Sequence, residues 1–432
     1  MNGKIKVGLM GFGTVGTGVV RLVDSYKEDF FNQTGSVIEV SRILVRNPEK
    51  ERSVFVNSDI VTTDPRELIY DQEVEVIIEV MGGIEPARTY ILEAIEQGKH
   101  IVTANKDLMA IHGEELIKKA REHGCDLFYE ASVAGGIPII NAIVEGFSSD
   151  RITKIMGIVN GTTNYILTKM SHEQASFDEV LQEAQQLGYA EADPTSDVEG
   201  LDAARKMAIL SSLGFHVGMN LEDVSVRGIS KVTLEDIKYG EQLGYTMKLI
   251  GIAKKDDELI EVSVEPTFVK STHPLANVNG VFNAVYVYGE AVGETMFYGP
   301  GAGELPTATA VLSDLVTVVK NIKLGVNGRN MATPYNVKKL KLEEEIYAKY
   351  FIRLIVNDES GVLAQIAKLM AEEKISLEKV LQEPYPSNPK KAELILVTHQ
   401  ASKKCINNVL AAFENVDYIE KVKSCYRVEG GE

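Results

Sequence analysis

Hydrophobic positions along the first 130 residues follow two alternating periods. Short β-rich apolar runs at 5–10, 38–45, 74–80, 100–103 and 126–129 are separated by stretches of helical spacing, notably 14–26, 86–97 and 113–123. Such alternation predicts a parallel sheet with helices on both faces. From residue 134 the pattern changes. Helical segments at 177–187, 197–213 and 307–324 mix with strands at 152–159, 259–269 and 284–287, which predicts an α+β arrangement. Residues 326–349 lose periodicity and read as a connector. Beyond it lies strand 350–356, helix 362–372, strand 377–383, strand 393–398, helix 403–413 and strand 419–426, a βαββαβ order of ferredoxin-like type.

Composition narrows the class. A chain of 432 residues exceeds what one core serves, so two or three domains are expected. With 62 acidic against 45 basic residues the net charge is −17, which repels phosphate backbones and anionic lipid. Neither a nucleic-acid nor a membrane partner is expected. No run of 18 apolar residues is present to span a bilayer. The first residues run straight into a strand, with no charged-then-apolar leader. Cys125, Cys405 and Cys425 are far apart and odd in number, which fits a reducing compartment without disulfides, hence a cytoplasmic location.

Gly11-Phe12-Gly13-Thr14-Val15-Gly16 is a GxGxxG loop between an apolar strand and a helix carrying Val19, Val20 and Val23. Glycines there permit the tight turn and a close approach of backbone to pyrophosphate, and the helix start offers unpaired amides. The expected fold is therefore a doubly wound Rossmann sheet holding NAD or NADP. An acid at the end of the second strand would read the ribose 2′-hydroxyl of NAD. Arg46 stands there instead and can pair with a 2′-phosphate, so NADP is favoured. Gly82 and Gly83 after the next long strand leave bare backbone for the cofactor, or form a simple turn.

Ligands of open α/β sheets bind beyond the C-terminal strand ends. Lys106, just after the run 100–104, lies at that edge. The densest polar constellation is LGYAEADPTSDVEGLDAARK, residues 187–206. Ser196 and Glu199 have capping-box spacing, which predicts a helix from Asp197. Asp202 and Lys206 then share a face at i,i+4, with Glu191 in the loop feeding it. Two carboxylates and a lysine suit a substrate bearing an ammonium group and a transferable proton. They equally suit a surface salt bridge with solvated acids, and the residues alone leave both open.

The spacing A-x3-G-Y-A-x2-D-P-x2-D-V-x-G-x-D-x3-K from Ala184 to Lys206 is similar to the signature of the homoserine dehydrogenases. Four further segments carry the same resemblance in order: VTANK at 102–106, EASVAGGIP at 130–138, GIVNGTTNY at 157–165 and GPGAGELPTA at 299–308. It covers residues 1 to about 330. It implies NAD(P)-dependent interconversion of L-homoserine and L-aspartate 4-semialdehyde, on the way to threonine, methionine and isoleucine. By that resemblance Lys206 carries the proton, and Glu191 and Asp202 hold the substrate amino group with Lys106 beside them. Phe12, Thr14, Val15, Arg46, Lys106, Gly188 and Gly303 meet the cofactor. Asn160 and Thr162 flank the substrate. A monovalent cation, usually sodium, is expected on Glu130, Val133, Gly135 and Ile137, mainly through carbonyl oxygens. Residues 350–427 resemble an ACT domain, through NDESGVL at 357–363 and ISLE at 375–378.

The implied layout is a Rossmann NAD(P)-binding domain at 1–133, an α+β substrate and dimerisation domain at 134–330, a linker at 331–349 and an ACT regulatory domain at 350–432. It matches the monofunctional form, a homodimer or homotetramer with an amino-acid effector, threonine foremost. Two rivals are weighed against it. A 2-hydroxy-acid dehydrogenase with an ACT module needs a catalytic histidine and arginine and a mid-chain GxGxxG, whereas this loop begins at residue 11. A non-catalytic nucleotide sensor has no use for Glu191, Asp202 and Lys206 together.

Overall fold

The computed structural model describes residues 3–328 and 334–430. The chain opens with β1 (Gly3–Met10), α1 (Thr14–Ser25), α2 (Lys27–Thr34) and β2 (Ser36–Leu44). Next come β3 (Val61–Thr62), α3 (Arg66–Ile69), β4 (Val74–Glu79), α4 (Ala87–Glu96), β5 (His100–Thr103), α5 (Lys106–Glu122) and β6 (Leu127–Phe128). The six strands form a sheet of order β3-β2-β1-β4-β5-β6, and every pairing in it is parallel. The order reverses at β1, which is where the GxGxxG loop leaves the sheet. Strand interiors such as Val7, Leu9, Val76, Ile78 and Val102 are buried under α1 and later helices, as the two-faced apolar runs predict.

The middle of the chain holds α6 (Ile139–Asn141), β7 (Ile152–Ile158), α7 (Gly161–Glu173), α8 (Phe177–Gln186), α9 (Thr195–Val198) and α10 (Leu201–Phe215). It continues with β8 (Ser225–Val226), α11 (Leu234–Gln242), β9 (Tyr245–Asp256), β10 (Leu259–Lys270), β11 (Phe282–Gly289), β12 (Gly293–Pro300) and α12 (Glu304–Leu324). The last part holds β13 (Tyr347–Asn357), α13 (Val362–Glu372), β14 (Leu377–Pro384), β15 (Lys391–Thr398), β16 (Ala401–Ser402), α14 (Lys403–Phe413) and β17 (Ile419–Glu429).

Contacts divide the chain into two units with bounds unlike the sequence-derived domains. One comprises residues 1–159, 204–224 and 283–338; the other comprises 160–203, 225–282 and 339–432. The first unit holds the parallel sheet, with α12 laid along α1, and the run β12-β11-β7, in which β11 is antiparallel to β7. The second holds a mixed run β9-β10-β17-β13-β15-β14. Here β17 pairs in parallel with β10 (Phe268↔Val428) and antiparallel with β13, so the C-terminal βαββαβ element continues the β9–β10 sheet.

Buried ion pairs fasten that junction. Arg353 on β13 reaches Asp236 on α11 at 2.8 Å and Glu393 on β15 at 2.9 Å. Arg427 on β17 reaches Glu261 on β10 at 3.0 Å and Glu429 at 2.8 Å. The expected connector is partly built into this sheet as well. Ile260 donates to the Lys339 carbonyl and accepts from the Lys341 amide. Residues 329–333, which include the start of the expected linker, lie outside the described residues.

Three helix starts depart from the sequence reading. α5 begins at Lys106 rather than 113, because the Asn105 side chain caps it by accepting from the Leu108 amide at 3.1 Å. α12 begins at Glu304 rather than 307, straight after Gly303 at φ 128°. The helix expected over 197–213 is two helices, parted at Gly200, whose φ of 80° no helix accommodates. Ser196 therefore lies inside α9, whose N-cap is Pro194, and Asp202 sits in the first turn of α10.

Candidate active site

The cofactor half is built on the first unit. Gly11 has φ 104°, and a side chain there would lie 2.8 Å from the Val80 carbonyl oxygen. A Cβ on Gly16 would sit 2.2 Å from the Gly11 carbonyl, so the turn closes only with glycine at both positions. Gly13 precedes the first turn of α1 with no side-chain cap, which leaves helix-start amides for an anionic ligand. Thr14 and Val15 begin that helix. Gly18 approaches the Glu304 carbonyl so closely that a Cβ would come within 2.7 Å, and this seats Gly303 beside α1. Gly82 and Gly83, both at φ 73°, follow β4.

Arg46 is exposed just beyond β2. Arg52 covers the loop. Its guanidinium lies 5.1 Å from the Phe12 ring centre, and its Nε donates to the Phe12 carbonyl at 3.4 Å. No local motif marks it, because its partner lies forty residues away.

A buried polar chain shapes the adjoining strand ends. The fully buried Glu79 carboxylate accepts from the Met81 amide at 2.8 Å and from Thr103 Oγ1 at 2.6 Å. Thr103 Oγ1 accepts from the Asn105 amide, and Asn105 donates from Nδ2 to the Gly83 carbonyl. This chain ties the Gly82–Gly83 turn to the start of α5, where the half-buried Lys106 is the first residue. Burial holds the Glu79 carboxyl above the usual carboxylate range, against the pull of Thr103 and the Met81 amide.

The polar constellation gathers around the junction of β7 and α7. Asn160 caps α7, its Oδ1 accepting from the Thr163 amide at 2.8 Å. Its Nδ2 is thereby turned to two carboxylates, Asp197 Oδ1 at 2.7 Å and Asp202 Oδ2 at 2.9 Å. Asp202 is only 2% exposed. One turn along α10, Lys206 is also buried and donates to the Val159 carbonyl at 2.7 Å. Asp202 and Lys206 thus reach consecutive residues of the chain, Asn160 and Val159. Asn160, expected only to flank the substrate, contacts both carboxylates and caps α7.

Glu191 is exposed, in the loop after Gly188 (φ 76°), and its backbone carbonyl accepts from Gln185. That loop leans on α7. Thr162 Oγ1 donates to the Tyr189 carbonyl at 2.6 Å, and the Tyr165 and Tyr189 rings lie 5.0 Å apart.

The loop proposed to hold a cation follows β6. Glu130 spends its carboxylate on the Ile140 and Asn141 amides at 2.8 and 2.7 Å, so only its carbonyl is suited to ligation. The Glu130 amide donates to Asp314 Oδ2 at 2.8 Å, while Asp314 Oδ1 is buried with no hydrogen-bond partner among the described residues. Burial raises the Glu130 carboxyl to about 7 and Asp314 well above its usual range. Ala134 (φ 55°) and Gly135 (φ 43°) turn the chain sharply between Val133 and Ile137. Among the described residues no three His, Cys, Asp or Glu side chains group as a metal site. The residues therefore fit a hard cation taken by carbonyl oxygens beside an unsatisfied carboxylate.

In the C-terminal element a cavity of about 220 Å³ opens between the end of β13 and the start of α13, lined by Asn357, Glu359, Ser360, Gly361, Gln382 and Leu394 among others.

A parallel sheet with a glycine loop at its reversal point is the arrangement of a dinucleotide-binding fold. Comparison with known proteins specifies which. A family model described as "Homoserine dehydrogenase, NAD binding domain" matches residues 11–130, and one described as "Homoserine dehydrogenase" matches residues 138–316. The homoserine dehydrogenase of Bacillus subtilis is 53% identical over 426 residues, 99% of this chain and 98% of that protein. A crystal structure of a homoserine dehydrogenase from Thiobacillus denitrificans superposes with TM-score 0.93 at 40% identity, covering 100% of both chains. A hyperthermophilic archaeal homoserine dehydrogenase solved with NADPH gives TM-score 0.61 at 28% identity, over 73% of this chain and 97% of that one. The chain belongs to the homoserine dehydrogenase family.

Proposed function

We propose that this protein interconverts L-homoserine and L-aspartate 4-semialdehyde, with NADP favoured over NAD, and that α10 carries the chemistry. The observation that supports this best is the pair Asp202 and Lys206, both buried one turn apart inside the matched segment. A buried carboxylate beside a buried lysine is costly to maintain without a task. Asp202 and Glu191 hold the substrate ammonium. Asn160 aims the Asp202 carboxylate by donating to its Oδ2. In the oxidising direction Lys206 takes the proton of the substrate hydroxyl while hydride passes from the carbon bearing that hydroxyl to the oxidised cofactor. In the reverse direction its ammonium returns that proton to the forming alkoxide. The nicotinamide supplies hydride transfer when bound. Val159 takes one of the three donors of the Lys206 ammonium, which fixes its direction. Lys106 places a second positive charge near the oxygen.

The NADP preference rests on Arg46, on Arg52 over Phe12, and on the NADPH-bound archaeal relative. The cation reading rests on the Val133–Ile137 turn and the unsatisfied Asp314 oxygen, with Glu130, Val133, Gly135 and Ile137 as carbonyl ligands. The C-terminal element is read as an ACT domain that binds an amino acid, threonine foremost. Its strand order β17-β13-β15-β14 is the ferredoxin-like one, and its cavity suits a small amino acid. A homodimer or homotetramer and a cytoplasmic location complete the proposal. Among the described residues no helix is long and apolar enough to cross a membrane.

The test is reduction of NADP and of NAD followed by absorbance with L-homoserine, then with D-homoserine and L-2-hydroxy acids as controls. Turnover of a 2-hydroxy acid in preference to L-homoserine would overturn the reading. Calorimetric titration of the full chain with threonine tests the effector site separately.

A further inference from the structure

Lys248 is buried to 1% exposure in the middle of β9, inside the apolar run 245–253. Its Nζ donates to three acceptors: the Val278 carbonyl at 2.6 Å, Asn279 Oδ1 at 3.0 Å and Asn164 Oδ1 at 3.1 Å. Three acceptors match the three hydrogens of an ammonium, and all three are neutral. An ammonium buried on neutral acceptors costs stability relative to an apolar side chain of similar size. A residue kept there at that cost calls for a task beyond filling space.

The acceptors show what it organises. Asn164 lies in the first turn of α7, buried, with its Nδ2 donating to the Phe282 carbonyl at 3.1 Å. Lys248 therefore fixes the orientation of that amide. The same segment, 278–282, meets α7 at two further points. A Cβ on Gly161 would lie 2.7 Å from the Val281 carbonyl oxygen, and the Gly280 amide donates to Thr168 Oγ1 at 3.2 Å. Segment 278–282 is thus a cradle for the start of α7. Lys248 joins both sides of it, and α7 is capped by Asn160, which aims Asp202.

We propose that Lys248 is a positioning residue of the substrate site, holding the start of α7 against segment 278–282 so that Asn160 presents Asp202 to the substrate ammonium. This rests on the assignment of Asp202 to the substrate. Burial also lowers the Lys248 ammonium to about 7, which accords with the absence of a carboxylate among its three acceptors.

Lys248→Met removes the three donors and keeps an unbranched chain in the strand. The KM for homoserine should rise by about tenfold or more, the scale of one lost hydrogen bond to a charged group. Saturated turnover and the Kd for NADPH should stay within about threefold. Combined with Asn160→Ala, Lys248→Met should add little to the KM effect of Asn160→Ala alone, since both act through one contact. Equal losses in homoserine KM and NADPH Kd, or additive effects in the double variant, would show general loosening and overturn the proposal. So would a folded Lys248→Met with unchanged KM. If Lys248→Met does not fold, Asn279→Ala removes one acceptor from the cradle and decides by the same split. Asp202→Asn, measured in parallel, separates the two assignments. If it leaves homoserine KM unchanged, the substrate site lies elsewhere and both fall. If it raises KM while Lys248→Met does not, the role of Lys248 alone falls.

Discussion

Replacing Lys206 separates chemistry from support, because the side chain holds a structural contact at rest and is assigned a chemical role in turnover. At rest Nζ donates to the Val159 carbonyl at 2.7 Å from a site only 9% exposed. Lys206→Ala removes that donor and leaves a buried carbonyl unpaired, which costs about 1–3 kcal/mol of stability. Loss of the proton carrier should lower turnover by about 10²–10⁴-fold, which is about 2.7–5.5 kcal/mol of barrier. Lys206→Arg distinguishes the two contributions. A guanidinium can still donate to Val159 but does not give up its proton, since it stays protonated throughout the assay range. Stability should therefore recover towards wild type while turnover remains low in the oxidising direction. The assay is reduced-cofactor absorbance in both directions, with thermal unfolding and NADPH Kd measured on the same samples. Cofactor affinity should change little. A folded Lys206→Ala with near-normal turnover, or an Arg variant as active as wild type, would refute the assignment and move the role to Lys106.

Arg46→Asp should weaken NADPH binding by about 1.5–3 kcal/mol, the worth of a hydrogen bond to a charged group, and leave NADH nearly unchanged; equal losses by calorimetry would exclude Arg46 as reader of the 2′-phosphate. Glu79 has its folded pKa raised above the ordinary 4.5 by burial. The unfolded chain therefore releases this proton first, and stability falls as pH climbs from 4.5 towards the raised value. Glu79→Gln should remove that slope, read by urea unfolding across pH 4–8 at ~1-unit steps, and should stabilise most at the upper end. Arg353→Leu strands the buried carboxylates of Asp236 and Glu393 and should cost about 3–5 kcal/mol in chemical denaturation. An effect below about 1 kcal/mol would mean the pairs are screened as surface pairs are.

What could be read in the sequence was whatever a few neighbouring residues dictate. The GxGxxG turn is legible because Gly11 and Gly16 face backbone oxygens within a Cβ's reach, so side chains are excluded by local geometry. The alternation of strands and helices is legible because both faces of β1 and β4 are buried. The break at Gly200 could have been read from the glycine, but the capping spacing of Ser196 and Glu199 argued for a continuous helix and misled. Partnerships across long stretches of chain were illegible. Asn160 meets Asp197 and Asp202 across 37 and 42 residues, and Arg353 meets Asp236 across 117. Nor does any periodicity predict that β17 pairs with β10, which turns an apparently separate C-terminal element into a continuation of the β9–β10 sheet. One support does leave a signal: a lysine inside the apolar run YTMKLIGIA, where solvation is impossible and partners must be supplied. That candidate chemistry-bearing residues stand out in the sequence while their supports do not follows from this difference. Residue type and spacing reveal what a group can do, whereas its orientation is set by residues that only the folded chain brings to it.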